Sequence, residues 1–148
     1  MVYRHTFRVK APLPTVARFH TGSSSMGAIT PPPIIVRVHS APAALGEGDE
    51  MDFTLWLLIL PLRWVARIQQ ASDSGFTDVQ VSGPFESWQH RHDFHPIDGQ
   101  TTEIHDTVEA SLSHRPLKWL IGSGMWISLP LLFAYRGWKT RRLLESKQ

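Results

Sequence analysis

Tyr3, His5, Phe7 and Val9 alternate with Arg4, Thr6, Arg8 and Lys10 at the start of the chain. A period of two marks a strand with one buried face, so the chain opens on a β-strand. The stretch APLPTVARFHTGSSSMGAI predicts a helix begun at Pro12 or Pro14 and broken by the Gly-Ser run. TPPP at 30–33 enforces an extended connection, IIVRVHS has strand character, and APAALGEGDE is a loop.

A run of antiparallel strands follows. EMDFTLWLLIL and PLRWVARIQQ flank a turn near Pro61, and GFTDVQVS and ESWQHRHDFH flank a turn at Gly83-Pro84. TTEIHDTVEASL comes after PIDGQ, in which Asp98-Gly99 is a hairpin signal. From about Pro116 the chain reads as helix. The predicted order is strand, helical segment, a five- or six-stranded meander and a long C-terminal helix. Such a sheet has one face to bury, and the apolar helix is its natural cover. A gap between them would suit an apolar ligand.

Alternation also assigns faces. Along 86–95 the even positions Trp88, His90, His92 and Phe94 are the drier set and face the helix, while Gln89, Arg91, Asp93 and His95 face water. Along 102–112, Ile104, Asp106, Val108, Ala110 and Leu112 face inward. A three- or five-residue loop centred on Asp98 aligns these faces. It sets His90 opposite Asp106, His92 opposite Ile104 and Trp88 opposite Val108. A three-residue turn over Gly83 to Phe85 adds Asp78 on the other flank of His90, with Gln80 on the same face. A two-residue turn would turn Val79 and Val81 inward instead.

Composition narrows the class. Of 148 residues, 42% are apolar and 19% charged, which suits a folded domain rather than disorder. The formal net charge is +2 and the basic residues are scattered, so no nucleic-acid-binding stripe is expected. Lys139, Arg141 and Arg142 read as a helix end offsetting the dipole. No cysteine is present, which removes disulfides, thiolate metal sites and a cysteine nucleophile and fits a cytoplasmic protein. The first ten residues have no apolar core of the kind a secretory signal needs. Trp119 to Tyr135 runs seventeen residues without a charge. That is the lower bound for a membrane span, so a covered helix is expected, with at most weak peripheral membrane contact.

The element order and several motifs resemble the SRPBCC superfamily, which includes START domains, Bet v 1-like allergens and polyketide cyclase/dehydrase-like proteins. The pieces that carry the likeness are APLPTVARFH with TPPP, EGDEMDF, FTDVQVSGPFESWQHRHDFHP, TTEIHDTVEASL and FAYR in the last helix. They are most similar to a bacterial ligand-binding branch, and they span nearly the whole chain. The resemblance implies an α+β helix-grip fold over 1–148 as one domain, with a curved antiparallel sheet wrapped around the C-terminal helix. It also implies a hydrophobic cavity, but no single activity. Pro130 would then kink that helix or divide it in two.

Three chemistries suit the inward polar residues. His90 and His92 with Asp106 could ligate a metal, but nothing else fixes the spacing, and no metal or other cofactor is expected. His90 held by Asp106 could act as a general acid–base in a cyclase, dehydratase or hydrolase. The reading with fewest assumptions is binding. His90, His92 and Asp106, with Asp78 and Gln80, orient the polar end of a small hydrophobic ligand. Trp88, Phe53, Leu55, Trp64, Trp126 and Phe133 supply its apolar walls. A buried His–Asp pair that merely satisfies itself and pins the register stands beside all three. His5, His20, His39, His95, His105 and His114 are expected at the surface or in loops.

Overall fold

Seven strands form one antiparallel sheet: β1 (Val2–Val9), β2 (Ile35–Ser40), β3 (Glu50–Leu57), β4 (Leu60–Ser72), β5 (Gly75–Ser82), β6 (Phe85–Asp98) and β7 (Thr101–Leu112). Their order is β1-β7-β6-β5-β4-β3-β2. Helices α1 (Leu13–Thr21) and α2 (Ser25–Ala28) fall between β1 and β2, and α3 (Pro116–Glu145) follows β7. The computed structural model describes residues 1–146. Register shifts in β2, β4, β5 and β6 mark bulges, which bend strands and raise their twist, and the sheet curves over α3.

The expected alternation is present. On β6, Phe85, Trp88, His90 and Phe94 are buried, and on β7, Thr102, Ile104, Asp106, Val108 and Ala110 are. α3 begins with Pro116 in its first turn, where the missing N–H costs nothing. Its buried residues Gly122, Leu129, Phe133, Gly137, Thr140 and Leu144 recur at helical spacing and make one stripe. Leu129 and Phe133 join Phe53, Trp64, Phe85, Trp88 and Val108 in one core cluster. Phe7, Val9, Val16, Phe94, Ile104 and Leu144 make a second, covered by α1. Each fully buried side chain of this size contributes about 1.5–3 kcal/mol.

Four local expectations are corrected. The β3–β4 turn is Leu58-Ile59, with Leu58 at φ 60°, and Pro61 lies inside β4 opposite Trp56. α3 is not divided in two at Pro130 but runs as one helix through it. Proline cannot donate the backbone bond to the turn before it, but the packed stripe on both sides of Pro130 holds the helix together. The β6–β7 loop is Gly99-Gln100, not one centred on Asp98. Lastly, the β6–β7 register is displaced by two residues: His90 lies opposite Val108, His92 opposite Asp106 and Trp88 opposite Ala110. A tight loop would have mixed the two faces, but a bulge between Pro96 and Asp98 adds one residue to β6 and restores them. The β5–β6 register is the three-residue alternative, with Asp78 opposite His90.

By length and composition α3 could cross a membrane, with a mean hydropathy of 1.4 over its most apolar window and 17% of that window buried. The buried stripe makes it the covering helix of this fold. Leu117, Leu120, Ile127 and Leu131 remain exposed on its outer face.

Candidate functional site: a polar end in an apolar cavity

Between the sheet and α3 lies a cavity of about 380 Å³. β3 and β4 supply Phe53, Leu55, Trp64, Ala66 and Ile68 to its wall, β6 supplies Trp88, and α3 supplies Leu129 and Phe133. Residues from Met26 to Ile34, through the proline run, close another side. One end is polar, where Asp78, His90, His92, His20 and Arg136 meet.

Strand geometry builds that end. Asp78 of β5 and Asp106 of β7 flank β6, and His90 and His92 project between them from one face. His90 Nε2 hydrogen-bonds Asp106 Oδ1 at 2.9 Å, and His92 Nε2 hydrogen-bonds Asp78 Oδ2 at 3.1 Å. His90 Nδ1 lies 3.6 Å from Asp78 Oδ2, and His92 Nδ1 lies 3.1 Å from Asp106 Oδ1. The last approach is off the line of a hydrogen bond, so among the described residues the buried His92 Nδ1 has no partner. The two imidazoles pack with centroids 3.8 Å apart. Phe76 stacks on His92 at 4.4 Å, and Phe133 meets His90 edge-on at 5.2 Å.

Burial and pairing set the charges. Desolvation opposes the charged form of His92, but the close carboxylates of Asp106 and Asp78 overcome it and push the pKa up to about 9. Burial likewise opposes ionisation of Asp106 and Asp78, yet the imidazoles hold both carboxyls below their ordinary range. His90 is pushed down by burial and then by the charge on His92, against the pull of Asp106 and Asp78. At neutral pH the group therefore holds two carboxylates, an imidazolium at His92 and a neutral His90. Burial lowers the Arg136 guanidinium without neutralising it, since both carboxylates favour its charge. Among the described residues its buried Nε has no hydrogen-bond partner.

Of the expected ligand-binding residues, Trp88, His90, His92, Asp78, Phe53, Leu55, Trp64 and Phe133 line the cavity. Three do not. Asp106 sits behind the histidines. Gln80 is spent on the β5–β6 turn, where its side-chain amide donates to Phe85 O and its Oε1 accepts from Phe85 N–H. Trp126 packs against the core cluster outside the cavity.

Two expectations for the other histidines are corrected. His20, at the end of α1, donates from Nδ1 to Val16 O at 2.9 Å and turns its ring onto Phe94 and His92. Burial and the charge of His92 push its pKa down to about 4. His5 is half-buried, with its ring against Phe7 and Phe133. Arg136 was not singled out from the sequence. Its signals were its place at the end of FAYR and as the first charge after seventeen neutral residues.

No protein-family model matches the chain, and no curated protein matches it in sequence. Its fold is similar to several solved structures. The Zhui aromatase/cyclase from Streptomyces sp. R1128 superposes with a TM-score of 0.69 at 16% identity, covering 97% of this chain and 95% of that one. A START superfamily protein from Mycobacterium smegmatis gives 0.68 at 11% identity, covering 99% of both chains. A nucleoside-diphosphate sugar epimerase from Corynebacterium glutamicum gives 0.66 at 26% identity; the match covers 97% of this chain but only 29% of that longer protein. With the seven-stranded antiparallel sheet curved over α3, these likenesses establish that the chain has the START-like helix-grip fold.

Proposed function

We propose that this protein binds a small hydrophobic, lipid-like molecule carrying one oxygen-bearing end, in the cytoplasm and as a single domain. One observation carries the reading: a cavity of about 380 Å³ is lined mainly by apolar side chains, and at one end its charged groups Asp78, His92 and Arg136 converge with His90 and His20. That volume falls within the range of small-molecule sites, and a few placed polar groups in an apolar cavity fix a ligand's orientation. The START and cyclase folds it resembles are consistent with such a role. Arg136 favours a carboxylate or enolate over a neutral end, because its buried Nε donor otherwise lacks an acceptor. Weak contact with an anionic membrane surface belongs to the same reading. It rests on the exposed Leu117, Leu120, Ile127 and Leu131 and on Lys139, Arg141 and Arg142 along α3. Native mass spectrometry of the purified protein, with solvent extraction, tests the main claim. A bound apolar acid supports it, whereas an empty protein that also fails to bind cis-parinaric acid refutes it.

A second reading is favoured by His90 itself. A neutral imidazole that donates Nε2–H to Asp106 keeps a free lone pair on Nδ1 beside the cavity. That arrangement suits acid–base work in a cyclase-, dehydratase- or hydrolase-like reaction. Turnover of a polyketide or ester substrate that disappears in His90→Ala, with the fold intact, would decide for it.

A further inference from the structure

The polar end has an order that orienting a ligand does not require. Three donor atoms converge there: Asp78 Oδ2, His90 Nδ1 and His92 Nε2, all within 4.8 Å of one another. Oδ2 is 3.1 Å from His92 Nε2 and 3.6 Å from His90 Nδ1. Donors about 2.0–2.2 Å from a tetrahedral ion lie roughly 3–3.6 Å apart, so the carboxylate–imidazole spacings already fit one.

The opposite nitrogens of both rings face a single oxygen, Asp106 Oδ1, at 2.9 Å and 3.1 Å. A carboxylate behind a ligating imidazole fixes its tautomer and orientation. Phe76 and Phe133 hold the same two rings from their faces and edges. The two roles also separate in space: Asp78, His90 and His92 line the cavity and Asp106 does not. The sequence signature is two histidines two apart on one strand, with an aspartate directly opposite the first.

We propose that Asp78, His90 and His92 bind one divalent first-row transition-metal ion, with Asp106 as the positioning residue and the ion's open positions turned into the cavity. Two imidazoles and one carboxylate select such an ion over magnesium or calcium, which prefer oxygen donors. In the metal-free chain His90 pairs with Asp106 and His92 with Asp78, and His92 Nδ1 makes no hydrogen bond among the described residues. With the ion bound, the formal charge of the ion, Asp78, Asp106 and Arg136 is positive, so the proposal deepens the ligand reading. The anionic end of the apolar ligand takes an open position on the ion, with Arg136 beside it.

The test uses full-length protein stripped with chelator and titrated with Co²⁺ alone or Zn²⁺ alone, by calorimetry and visible absorption. One equivalent should bind with a dissociation constant in the micromolar range or tighter. Asp78→Asn and His92→Ala should each weaken it at least 100-fold, and Asp106→Asn about 10–100-fold with stoichiometry kept. His105→Ala, which alters the exposed His95–His105 pair, should change nothing. Circular dichroism identifies any variant that fails to fold. Absence of saturable binding by the wild-type protein overturns the proposal whatever the variants do, as does wild-type affinity in folded Asp78→Asn. Binding of cis-parinaric acid to the stripped protein separates the two readings. Retained probe binding without metal binding ends the metal proposal alone. Metal binding without probe binding ends the ligand-cavity reading alone.

Discussion

His90 Nε2 bonds Asp106 Oδ1 at 2.9 Å on a diagonal, since the residue directly across from His90 is Val108. Diagonal neighbours on one sheet face lie within reach of long side chains, so Asp106 can serve both His90 and His92. Asp106 is 6% exposed. A carboxylate buried to this depth is tolerated only while its partners neutralise and hydrogen-bond it.

Removing that carboxylate leaves His90 Nε2 without its acceptor and both packed imidazoles without their nearby counter-charge. Asp106→Ala is therefore expected to cost about 3 kcal/mol of global stability, as does breaking a buried pair from one side. Asp106→Asn keeps an acceptor and should cost less than half as much. Urea denaturation of the two variants measures both; a loss below about 1 kcal/mol for Asp106→Ala would show that the pairing is structurally idle.

Arg136 makes the opposite prediction. Its guanidinium lies against Phe133 and has a buried Nε without an acceptor. Arg136→Met should leave the melting temperature unchanged or raise it, because a buried donor without an acceptor is removed together with the desolvation cost of its charge. It should also weaken binding of cis-parinaric acid about 10-fold, the loss expected of one charge-assisted hydrogen bond. The methyl ester of the same probe should bind wild type and variant alike. Equal losses for acid and ester would show that Arg136 does not read the charged end.

Ala66 lies on β4 in the cavity wall and is 7% exposed. Ala66→Phe places a ring in space that the proposed ligand occupies. Fluorescence titration should show probe affinity falling at least 10-fold with near-native circular dichroism. Undiminished affinity would place the ligand elsewhere.

Gly75 approaches β6 more closely than any side chain could. A Cβ there would lie 2.2 Å from the His92 carbonyl oxygen, at a φ of +155°. Gly75→Ala must push β5 away from His92, and a cost of at least about 2 kcal/mol is expected from overpacking with backbone strain. Gly48 is the control. Its φ is +81°, but a Cβ would meet nothing within 4 Å, so Gly48→Ala should cost only about 1 kcal/mol. Similar losses in paired thermal melts would refute the steric argument.

Local sequence determined which strands exist and which way their side chains point. The period-two pattern placed Trp88, His90, His92 and Phe94 on the buried face of β6 and Asp106 on that of β7, because alternation is a property of each strand alone. Register was decided by the tertiary structure. The Gly99-Gln100 loop and a bulge between Pro96 and Asp98 together moved His90 from Asp106 to Val108 without changing its face, and neither leaves a trace in an alternating pattern. The histidine–aspartate contact survived only because a diagonal neighbour is close enough. The helices show the same division. α3 is apolar on nearly every side, so composition could not tell that Phe133 and Arg136 turn to the cavity while Trp126 packs outside it. His20 lies beside a helix-breaking run, where nothing local implies burial, yet the fold turns its ring onto His92. Periodicity is written into one element at a time. The meeting of Asp78, His90, His92 and Arg136 depends on how three elements pack, and only the folded chain holds that information.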